Sequence, residues 1–356
     1  MNFANFNPSR VLIIQTAFIG DVILTLPLLQ KVRAIFPNAE VDFLAIPTVE
    51  NLLENNPDIA QLVIYDKHHR DRGFRAFFSL TRRLRRRQYD LALIPHRSIR
   101  SAFLAYCSGI PHRIGFNRSA GKFLFTRSIP YPRGVHESTR NLHLLKPFGV
   151  DPFEKIFPQL YFDDVDMASV REWIADGRKT SNFPMIAMAP GSVWNTKRWP
   201  PEYYTELAKK LIQEGFRVVL VGGSADREVA DKISHALKDH VLNAVGEFTL
   251  RQSAYIIKLS HLLITNDSAP LHMGVAVGTP VVAIFGPTVK DFGFYPYGAL
   301  DQVVELDGLK CRPCGVHGGN KCPINTFECM INLKPDMVFS RVSKVLNLLQ
   351  GSENKG

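Results

Sequence analysis

Short apolar runs that alternate with amphipathic segments constrain the fold of this chain most, because the alternation occurs twice. In the first half, strand patterns at 10–15, 40–45, 62–65 and 89–95 accompany helical patterns at 21–36, 74–87, 101–108 and 137–147. Strands that alternate with helices predict βαβ units and a parallel sheet. Pro27 lies inside the first helical pattern and predicts a bend or a late start of that helix.

The pattern restarts after a polar stretch at 163–181. The second half has strand patterns at 185–189, 216–221, 241–244, 262–265 and 280–285, and helical patterns at 201–214, 226–237, 250–259, 269–277 and 335–349. We therefore predict two α/β halves whose parallel sheets face a cleft. Ligands of open parallel sheets bind beyond the carboxyl ends of the strands, so the loops that follow the strands carry the candidate site.

Charge is divided unevenly between the two halves. Residues 1–160 hold 22 Lys and Arg against 12 Asp and Glu, whereas residues 161–356 hold 21 of each, so the net charge of +10 lies in the first half. The segment 82–87, Arg-Arg-Leu-Arg-Arg-Arg, is the centre of this excess. A solvated helix face is the usual explanation of such a run. The alternative is a surface for a polyanion, although no recognisable nucleic-acid-binding module accompanies the run.

The apolar stretch at 11–29 is interrupted by Asp21. A carboxylate in that position argues against a transmembrane helix, and the flanking residues do not resemble a signal peptide. We expect a cytoplasmic protein. Five cysteines in 356 residues do not suggest a secreted disulfide scaffold.

The first candidate motif is Gly20-Asp21, directly after the first predicted strand. Gly20 permits close backbone approach, and a helix that starts here offers amides to an anion. Asp21 is the only acid between Arg10 and Glu40. It is a candidate general base or ribose ligand, and a helix N-cap is the structural alternative.

The second motif is the segment 189–200, Ala-Pro-Gly-Ser-Val-Trp-Asn-Thr-Lys-Arg-Trp-Pro. The hydroxyl of Ser192 and the cations Lys197 and Arg198 precede a predicted helix, which suits a diphosphate. The spacing is not that of a Walker loop. An exposed turn in which Trp194 and Trp199 pack the helix start is the alternative.

The third motif is the segment 265–274, Thr-Asn-Asp-Ser-Ala-Pro-Leu-His-Met-Gly, again between a strand and a helix. Ser268 and His272 are one helical turn apart and share a face. A capped core helix is the alternative. The segment Gly222-Gly-Ser-Ala-Asp-Arg-Glu228 also follows a strand and resembles a nucleotide-contacting loop, with an ordinary strand-to-helix turn as the alternative.

Two further groups are candidate binding sites. His96, Arg97, Arg100 and Arg113 follow a strand end and form a candidate acceptor-binding set. The late cysteines, Cys311, Cys314, Cys322 and Cys329, have C-x2-C-x7-C-x6-C spacing. Their first pair has the spacing of a zinc knuckle, but the second pair is wider than in structural zinc sites, so reduced thiols in an ordered loop are the alternative. The pair Asp164 and Asp166 indicates a helix start and not a magnesium site.

Three segments together resemble the lipopolysaccharide heptosyltransferases of glycosyltransferase family 9. They are the segment 18–27 around Asp21, Lys197-Arg-Trp-Pro200 and Asn266-Asp-Ser-Ala-Pro-Leu-His272. Their order and spacing match over nearly the whole chain. The resemblance implies a GT-B fold, with a Rossmann-like acceptor-binding domain at 1–165 and a Rossmann-like ADP-sugar-binding domain at 166–334. It also implies a final helix at 335–356 that returns to the N-terminal domain.

The resemblance further implies a reaction and its partners. Such enzymes transfer L-glycero-D-manno-heptose from ADP-heptose to the anionic, lipid-linked inner core of lipopolysaccharide, invert the anomeric centre and require no metal cofactor. We therefore expect a protein that is peripheral on the cytoplasmic face of the inner membrane and has no nucleic acid partner. A family relative that uses another nucleotide sugar and a basic nucleic-acid-binding protein are the alternatives.

Residue roles follow from the same resemblance. Asp21 matches the catalytic base, and Lys197 matches the cation that stabilises the departing diphosphate. The residues that match or adjoin the donor site are Gly20, Ser192, Glu228, Phe248, Asp267, Ser268, Ala269 and His272. Phe248 is expected to pack on adenine, and Glu228 to bind the ribose hydroxyls with Asp226 as second choice. An Asp of ordinary pKa is a weak base, so we expect it to accept the proton late in the reaction.

Overall fold

The computed structural model describes residues 6–67, 69–178 and 184–353, which divide into two compact units, 1–161 and 162–356. The strands of the first unit are β1 (Arg10–Ile14), β2 (Glu40–Ala45), β3 (Gln61–Ile64), β4 (Leu91–Ile94), β5 (His112–Phe116) and β6 (Arg127–Ile129). Its helices are α1 (Ile19–Ile23), α2 (Leu26–Ile35), α3 (Glu50–Leu53), α4 (Phe74–Arg86), α5 (Ile99–Cys107) and α6 (Glu137–Leu142).

The second unit repeats the same kind of alternation. Its strands are β7 (Met185–Ala189), β8 (Arg217–Leu220), β9 (Val241–Asn243), β10 (Leu262–Asn266), β11 (Val281–Phe285) and β12 (Gln302–Glu305). Its helices are α7 (Asp164–Arg178), α8 (Pro201–Gln213), α9 (Arg227–Leu237), α10 (Leu250–Lys258), α11 (Ala269–Val277), α12 (Glu328–Ile331) and α13 (Pro335–Glu353). The predicted α/β class with two parallel sheets is confirmed.

Each unit is built on a six-stranded sheet in which every described strand pair is parallel. The strand orders are β3-β2-β1-β4-β5-β6 and β12-β11-β10-β7-β8-β9. In both sheets the order reverses beside the first strand, between β1 and β4 and between β7 and β10. The loops after these strands splay apart at such a switch point, which is where open α/β sheets bind ligands.

The central strands consist of apolar residues because helices cover both faces of a parallel sheet. Val11 to Ile14 of β1 and all five residues of β7 are buried. The two faces of the first sheet contribute to separate apolar clusters, with Val11 and Ile13 in one and Leu12 and Ile14 in the other. This packing fixes the strand ends, and with them the loops that carry the candidate site.

The helix predicted at 21–36 is two helices, α1 and α2, with Pro27 in the first turn of the second. The predicted interruption at Pro27 is therefore confirmed. The sequence patterns missed β5, β6 and β12, which are short or lie at or next to a sheet edge, where fewer side chains are buried. They also missed the short helices α3 and α12, and they predicted the start of α7 but not its length, because its residues fall in the polar stretch at 163–181.

The start of α7 explains the acidic residues at 163–166. Asp163 Oδ1 accepts the backbone N–H of Asp166 at 2.7 Å, and Asp163 Oδ2 binds the Arg251 guanidinium at 2.6 Å. The buried Asp166 carboxylate also pairs with Arg251. The interpretation of this segment as a helix start is confirmed.

The arginines at the end of α4 have different roles. Arg87 binds the buried Asp42 carboxylate at 3.0 Å, and the Arg85 guanidinium donates to the Cys107 carbonyl at 2.9 Å. These two residues therefore connect elements of the first unit. Arg82 and Arg86 lie on the exposed face of α4. If the arginine run binds a polyanion, which was the alternative to a solvated helix face, only the arginines on that exposed face are available for it.

The final helix α13 belongs to the second unit, where Val338, Val342 and Val345 are part of the apolar core. The structure divides the chain after Tyr161, and the prediction placed the boundary after residue 165. The predicted return of the final helix to the N-terminal domain stays a prediction. None of the helices in the described ranges combines the length and the apolar character that a membrane-spanning helix needs.

Candidate active site

The loops after β1 and β4 place a hydroxyl and an imidazole together. Thr16 Oγ1 lies 3.0 Å from His96 Nδ1, and the Ser101 hydroxyl lies 3.2 Å from the same nitrogen. Burial, followed by the charges of Lys67 and Arg97, lowers the pKa of His96 to about 4. The imidazole is therefore neutral near pH 7 and acts here as a hydrogen-bonding group.

Asp21 lies in the first turn of α1, three residues after the N-cap position that Phe18 occupies. Its Oδ2 accepts the Phe18 N–H at 3.3 Å, so Asp21 is not the N-cap residue of the structural alternative. Burial raises the pKa of Asp21 to about 7, and the nearby charge of Glu137 raises it further. The expectation of an ordinary carboxyl pKa is wrong, because the side chain loses solvation in this position. Gly20, the preceding residue, is also in the first turn of α1.

Glu137 was not predicted as a site residue. It begins α6, pairs with Arg140 on the same helix, and both side chains are largely buried. Burial raises the pKa of Glu137, while the charges of Arg140 and Arg97 oppose the shift. Arg97 also lies over the Tyr131 ring, with its guanidinium carbon 4.9 Å from the centroid. Glu137 is the only acid between Asp90 and Asp151, and this isolation is the sequence signal that could have identified it.

The four predicted acceptor-binding residues do not all lie together. His96 and Arg97 follow β4, and Arg100 lies in the first turn of α5, where its guanidinium is 5.9 Å from the Tyr65 ring centroid. Arg113 is on β5, and its guanidinium donates to the carbonyl oxygens of Leu124, at 2.7 Å, and Ile110. The structure thus brings the first three to the loops after β4 and uses Arg113 to hold neighbouring backbone.

In the second unit, Lys197 and Asp267 form an ion pair at the ends of β7 and β10. The distance from Lys197 Nζ to Asp267 Oδ2 is 2.6 Å, and both side chains are about nine-tenths buried. The Asn266 side chain orders the Lys197 loop, because its Oδ1 accepts the Trp199 N–H at 3.1 Å and its Nδ2 donates to the Pro190 carbonyl at 2.8 Å. Trp199 is fully buried against Tyr203 and Tyr204 of α8, which is the packing that the structural alternative expects, and Lys197 in the same segment is buried as well.

A second group of residues, in the loops after β11 and before α12, supports the Lys197 and Asp267 pair. The Thr288 hydroxyl donates to Asp267 Oδ2 at 2.6 Å, and Arg312 donates to the Thr288 carbonyl at 2.6 Å. Gly319 and Thr196 exchange hydrogen bonds of 2.8 to 3.0 Å. Sequence reasoning missed these contacts because the partners are far apart in the chain.

The glycine after β7 packs directly on an acid. A Cβ atom on Gly191 would lie 2.1 Å from the Asp226 carboxyl carbon, so a larger residue at 191 would displace the Asp226 side chain. Asp226 accepts the Gly223 N–H at 3.1 Å, and burial raises its pKa. The predicted ribose ligand Glu228 instead has an 82% exposed side chain that pairs with Lys232 at 2.9 Å. Asp226, and not Glu228, is therefore the acid that packs against the loop after β7.

The remaining predicted donor residues follow β7, β9 and β10. Ser192 is buried, and its hydroxyl accepts the Trp194 N–H at 3.3 Å. Ser268 is the N-cap of α11 and Ala269 its first residue, while His272 is buried one turn later. Phe248 follows β9, half-buried, with its ring edge-to-face on Trp173 at 5.0 Å.

The late cysteines are free thiols in this part of the chain. The Cys314 N–H donates to the Pro287 carbonyl at 2.9 Å, and the Phe327 N–H donates to Cys322 Sγ at 3.4 Å. Burial raises the pKa of Cys329 to about 11. Among the residues that the structure describes, no group of three or more His, Cys, Asp or Glu side chains could hold a metal ion.

Each unit thus carries one part of the chemistry that group transfer needs. The first unit has the Asp21 carboxylate, whose pKa is near neutrality and whose charged neighbours are Glu137 and Arg97. The second has a buried cation and a helix start at the end of its central strand. A base and an anion-stabilising group are the two components of displacement at a carbon with an anionic leaving group.

Comparison with known proteins identifies similar chains. Residues 77–322 match the model of glycosyltransferase family 9 (heptosyltransferase). Lipopolysaccharide heptosyltransferase 2 of Salmonella typhimurium is 28% identical over 305 residues, which cover 80% of this chain and 84% of that protein. Lipooligosaccharide heptosyltransferase 2 of Haemophilus ducreyi is 28% identical over 95% of this chain and 99% of its own length.

Solved structures show the same arrangement of elements. The structure of ADP-heptose lipopolysaccharide heptosyltransferase II from E. coli superposes with a TM-score of 0.79 at 26% identity, covering 96% of this chain and 99% of the other. A glycosyltransferase of family 9 from Veillonella parvula gives a TM-score of 0.83 at 23% identity, covering 95% and 97%. The predicted fold, with two Rossmann-like domains of the GT-B type, is confirmed.

Proposed function

Because the chain belongs to glycosyltransferase family 9, we propose that it transfers a heptose from ADP-heptose to the inner core of lipopolysaccharide. The relatives that cover most of the chain are lipopolysaccharide or lipooligosaccharide heptosyltransferases. The observation that carries the proposal is the pair of groups at the two sheet switch points. These are Asp21 with a pKa near neutrality and Lys197 held on Asp267.

In this proposal Asp21 is the general base. The acceptor hydroxyl oxygen attacks the anomeric carbon, its proton passes to the Asp21 carboxylate, and the bond from that carbon to the ADP oxygen breaks with inversion. A carboxylate with a pKa of about 7 is a stronger base than an ordinary Asp. Proton transfer therefore need not wait until the attacking hydroxyl has become strongly acidic.

Lys197 stabilises the departing diphosphate. Negative charge grows on the ADP oxygen as the bond breaks, and a preorganised cation is most effective where charge develops. Asp267 and Thr288 fix Lys197 before the donor binds. The first amides of α11, next to Ser268 and Ala269, provide a further anion-binding group. Every charge change in the proposed step is thus matched by a side chain or a backbone amide.

The nucleoside part of ADP is assigned to the ends of β8 and β9. Phe248 presents a half-buried ring for adenine. We assign the ribose hydroxyls to Asp226, because Glu228 would have to leave Lys232 to reach them. Ser192 and His272 complete the donor side of the proposal.

The acceptor side is assigned to the basic first unit. His96, Arg97 and Arg100 lie at the loops after β4 and suit an acidic sugar or a phosphate. We place the protein at the cytoplasmic face of the inner membrane, because the acceptor is lipid-linked and the excess of positive charge lies in the unit that would meet it.

The test of the proposed function is transfer from ADP-heptose to defined truncated core acceptors. Asp21→Asn should lower turnover by about 10²–10⁴-fold, the usual contribution of a general base, while its circular dichroism stays that of the wild type. Glu154→Gln, at an exposed acid of the same unit, is the matched control. Near-wild-type turnover of Asp21→Asn would show that the base is another residue, and transfer from a different nucleotide sugar in preference to ADP-heptose would overturn the donor assignment.

A further inference from the structure

An apolar groove of about 510 Å³ opens on the surface of the first unit. It lies between α4, α5 and the turn at Lys122–Leu124, and its apolar lining consists of Phe74, Phe77, Ile99, Phe103, Phe123 and Leu124. The Phe77 and Phe103 rings stack with centroids 5.4 Å apart, and both line the groove. None of these side chains belongs to the candidate catalytic group.

The apolar side chains at the rim of the groove are more exposed to solvent than large apolar side chains usually are. Phe74 is 85% exposed and Phe123 72%, and Ile99 is also on the outside. Single exposed apolar side chains are normal on a soluble surface. A contiguous apolar patch is not, and it usually marks a surface that another molecule covers.

The charges around the groove are almost all positive. The segment 71–136, which contains all the lining residues, has fourteen Lys and Arg against two acids, Asp71 and Asp90. The Asp90 carboxylate is bound by the backbone N–H groups of Ser9 and Arg10. Exposed cations are adjacent in sequence to the lining residues, with Arg75 after Phe74 and Lys122 before Phe123. The occupant of this groove therefore combines an apolar part with negative charge.

We propose that this groove is the surface by which the protein docks on an anionic phospholipid bilayer. Phe74 and Phe123 enter the acyl region, and the surrounding cations bind the phosphate groups. A second copy of the chain is a poor occupant because it would bring the same positive charge. Aromatic side chains flanked by cations are the composition of interfacial membrane-binding helices.

The position of the groove relates docking to the proposed reaction. The first turn of α5 carries Ile99 and Arg100, which line the groove, and Ser101, which is hydrogen-bonded to His96 and Thr16. Docking of this face would therefore bring the hydrogen-bonded group of Thr16, His96 and Ser101 close to the membrane surface. The inference deepens the proposed function and rests on it in one respect, that the acceptor is lipid-linked.

The experiment is sedimentation of the full-length protein with vesicles. Vesicles of phosphatidylcholine and phosphatidylglycerol in equal amounts should bind the wild type, and added salt should weaken the binding. Phe74→Ser with Phe123→Ser should weaken binding by roughly tenfold or more, because two large apolar side chains are lost. Arg75→Ser with Lys122→Ser should weaken binding about tenfold on these vesicles and have little effect with phosphatidylcholine alone.

Two controls separate docking from folding and from catalysis. Phe153→Ser changes an exposed Phe of the same unit outside the groove and should bind like the wild type. Transfer to a deacylated, water-soluble acceptor should stay within about twofold in the groove variants, as expected for surface substitutions. No transfer by the wild type would overturn the proposed function, and the vesicle result would still decide the docking surface.

Four results would overturn the docking surface. The first is wild-type protein that fails to bind anionic vesicles. The second is equal loss of binding in Phe153→Ser and in the groove variants. The third is loss of transfer to the deacylated acceptor in parallel with loss of vesicle binding, which would make the groove a part of the acceptor site. Tighter, Phe74-dependent binding to single-stranded nucleic acid than to the vesicles would also count against the proposal.

Discussion

At the scale of single residues, the environment of Asp21 matters most for the proposed reaction. Burial and the charge of Glu137 raise its pKa to about 7, and Arg97 acts in the opposite direction. Only the ionised carboxylate accepts a proton, so kcat/KM should fall as the pH drops below about 7. General bases work best when their pKa is near the working pH. In this site the negative charge of Glu137 raises the pKa of Asp21, and the positive charge of Arg97 lowers it.

Changing these two neighbours should shift the pH profile in opposite directions. Glu137→Gln removes a negative charge and lowers the pKa of Asp21, so the acid limb of kcat/KM moves to lower pH. Arg97→Gln removes a positive charge, and the acid limb moves to higher pH. The measurement is kcat/KM as a function of pH. In the control variant Glu154→Gln, the pH at which kcat/KM begins to fall should be the same as in the wild type. Shifts of the same sign in both variants would show that neither charge acts on the base.

At the scale of elements, α4 shows how one run of arginines serves two purposes. Its 3.6-residue periodicity buries Phe77, Leu80 and Leu84 and leaves Arg82 and Arg86 in solvent. Arg87, just beyond the helix, lies beside β2 and neutralises Asp42. The periodicity of α4 was visible in the sequence, but the partner of Arg87 depends on strand pairing, which brings residue 42 beside residue 87.

Arg87 and Arg86 provide a matched pair for testing this division. Arg87→Ala leaves the buried Asp42 carboxylate without its cation and should lower the free energy of unfolding by about 2 kcal/mol, less than for a fully buried pair because Arg87 is partly exposed. Arg86→Ala should change it by less than about 0.5 kcal/mol. Urea unfolding followed by circular dichroism measures both. Equal effects in the two variants would show that the ion pair does not stabilise the unit.

At the scale of the whole molecule, the two units divide charge and chemistry. The first carries the excess of cations and the candidate base, and the second is neutral and carries the buried Lys197 and Asp267 pair. Each unit has its own sheet and its own apolar core. A substitution in one unit should therefore leave the ligand affinity of the other unchanged.

ADP binding tests this separation. Lys197→Ala should weaken ADP binding by roughly tenfold, because a charge-assisted contact to the diphosphate is lost. Asp21→Asn should leave the Kd for ADP within about twofold. Isothermal titration calorimetry measures both, and Lys209→Ala, at an exposed lysine of the second unit, is the control. Weaker ADP binding in Asp21→Asn than in Lys197→Ala would contradict the assignment of the donor to the second unit.

The sequence by itself determined the class of fold, the two-unit organisation and the loops of the candidate site. Strand and helix periodicity is a local property, and the loops that follow buried strands can be read directly from it. Only the tertiary structure decided that burial and the charge of Glu137 raise the pKa of Asp21, and that Asp226 packs on Gly191 while Glu228 pairs with Lys232 in solvent. It also decided that Thr288 binds Asp267 and that Gly319 binds Thr196 of the Lys197 loop. These outcomes depend on burial and on contacts between distant residues, which exist only once the chain has folded.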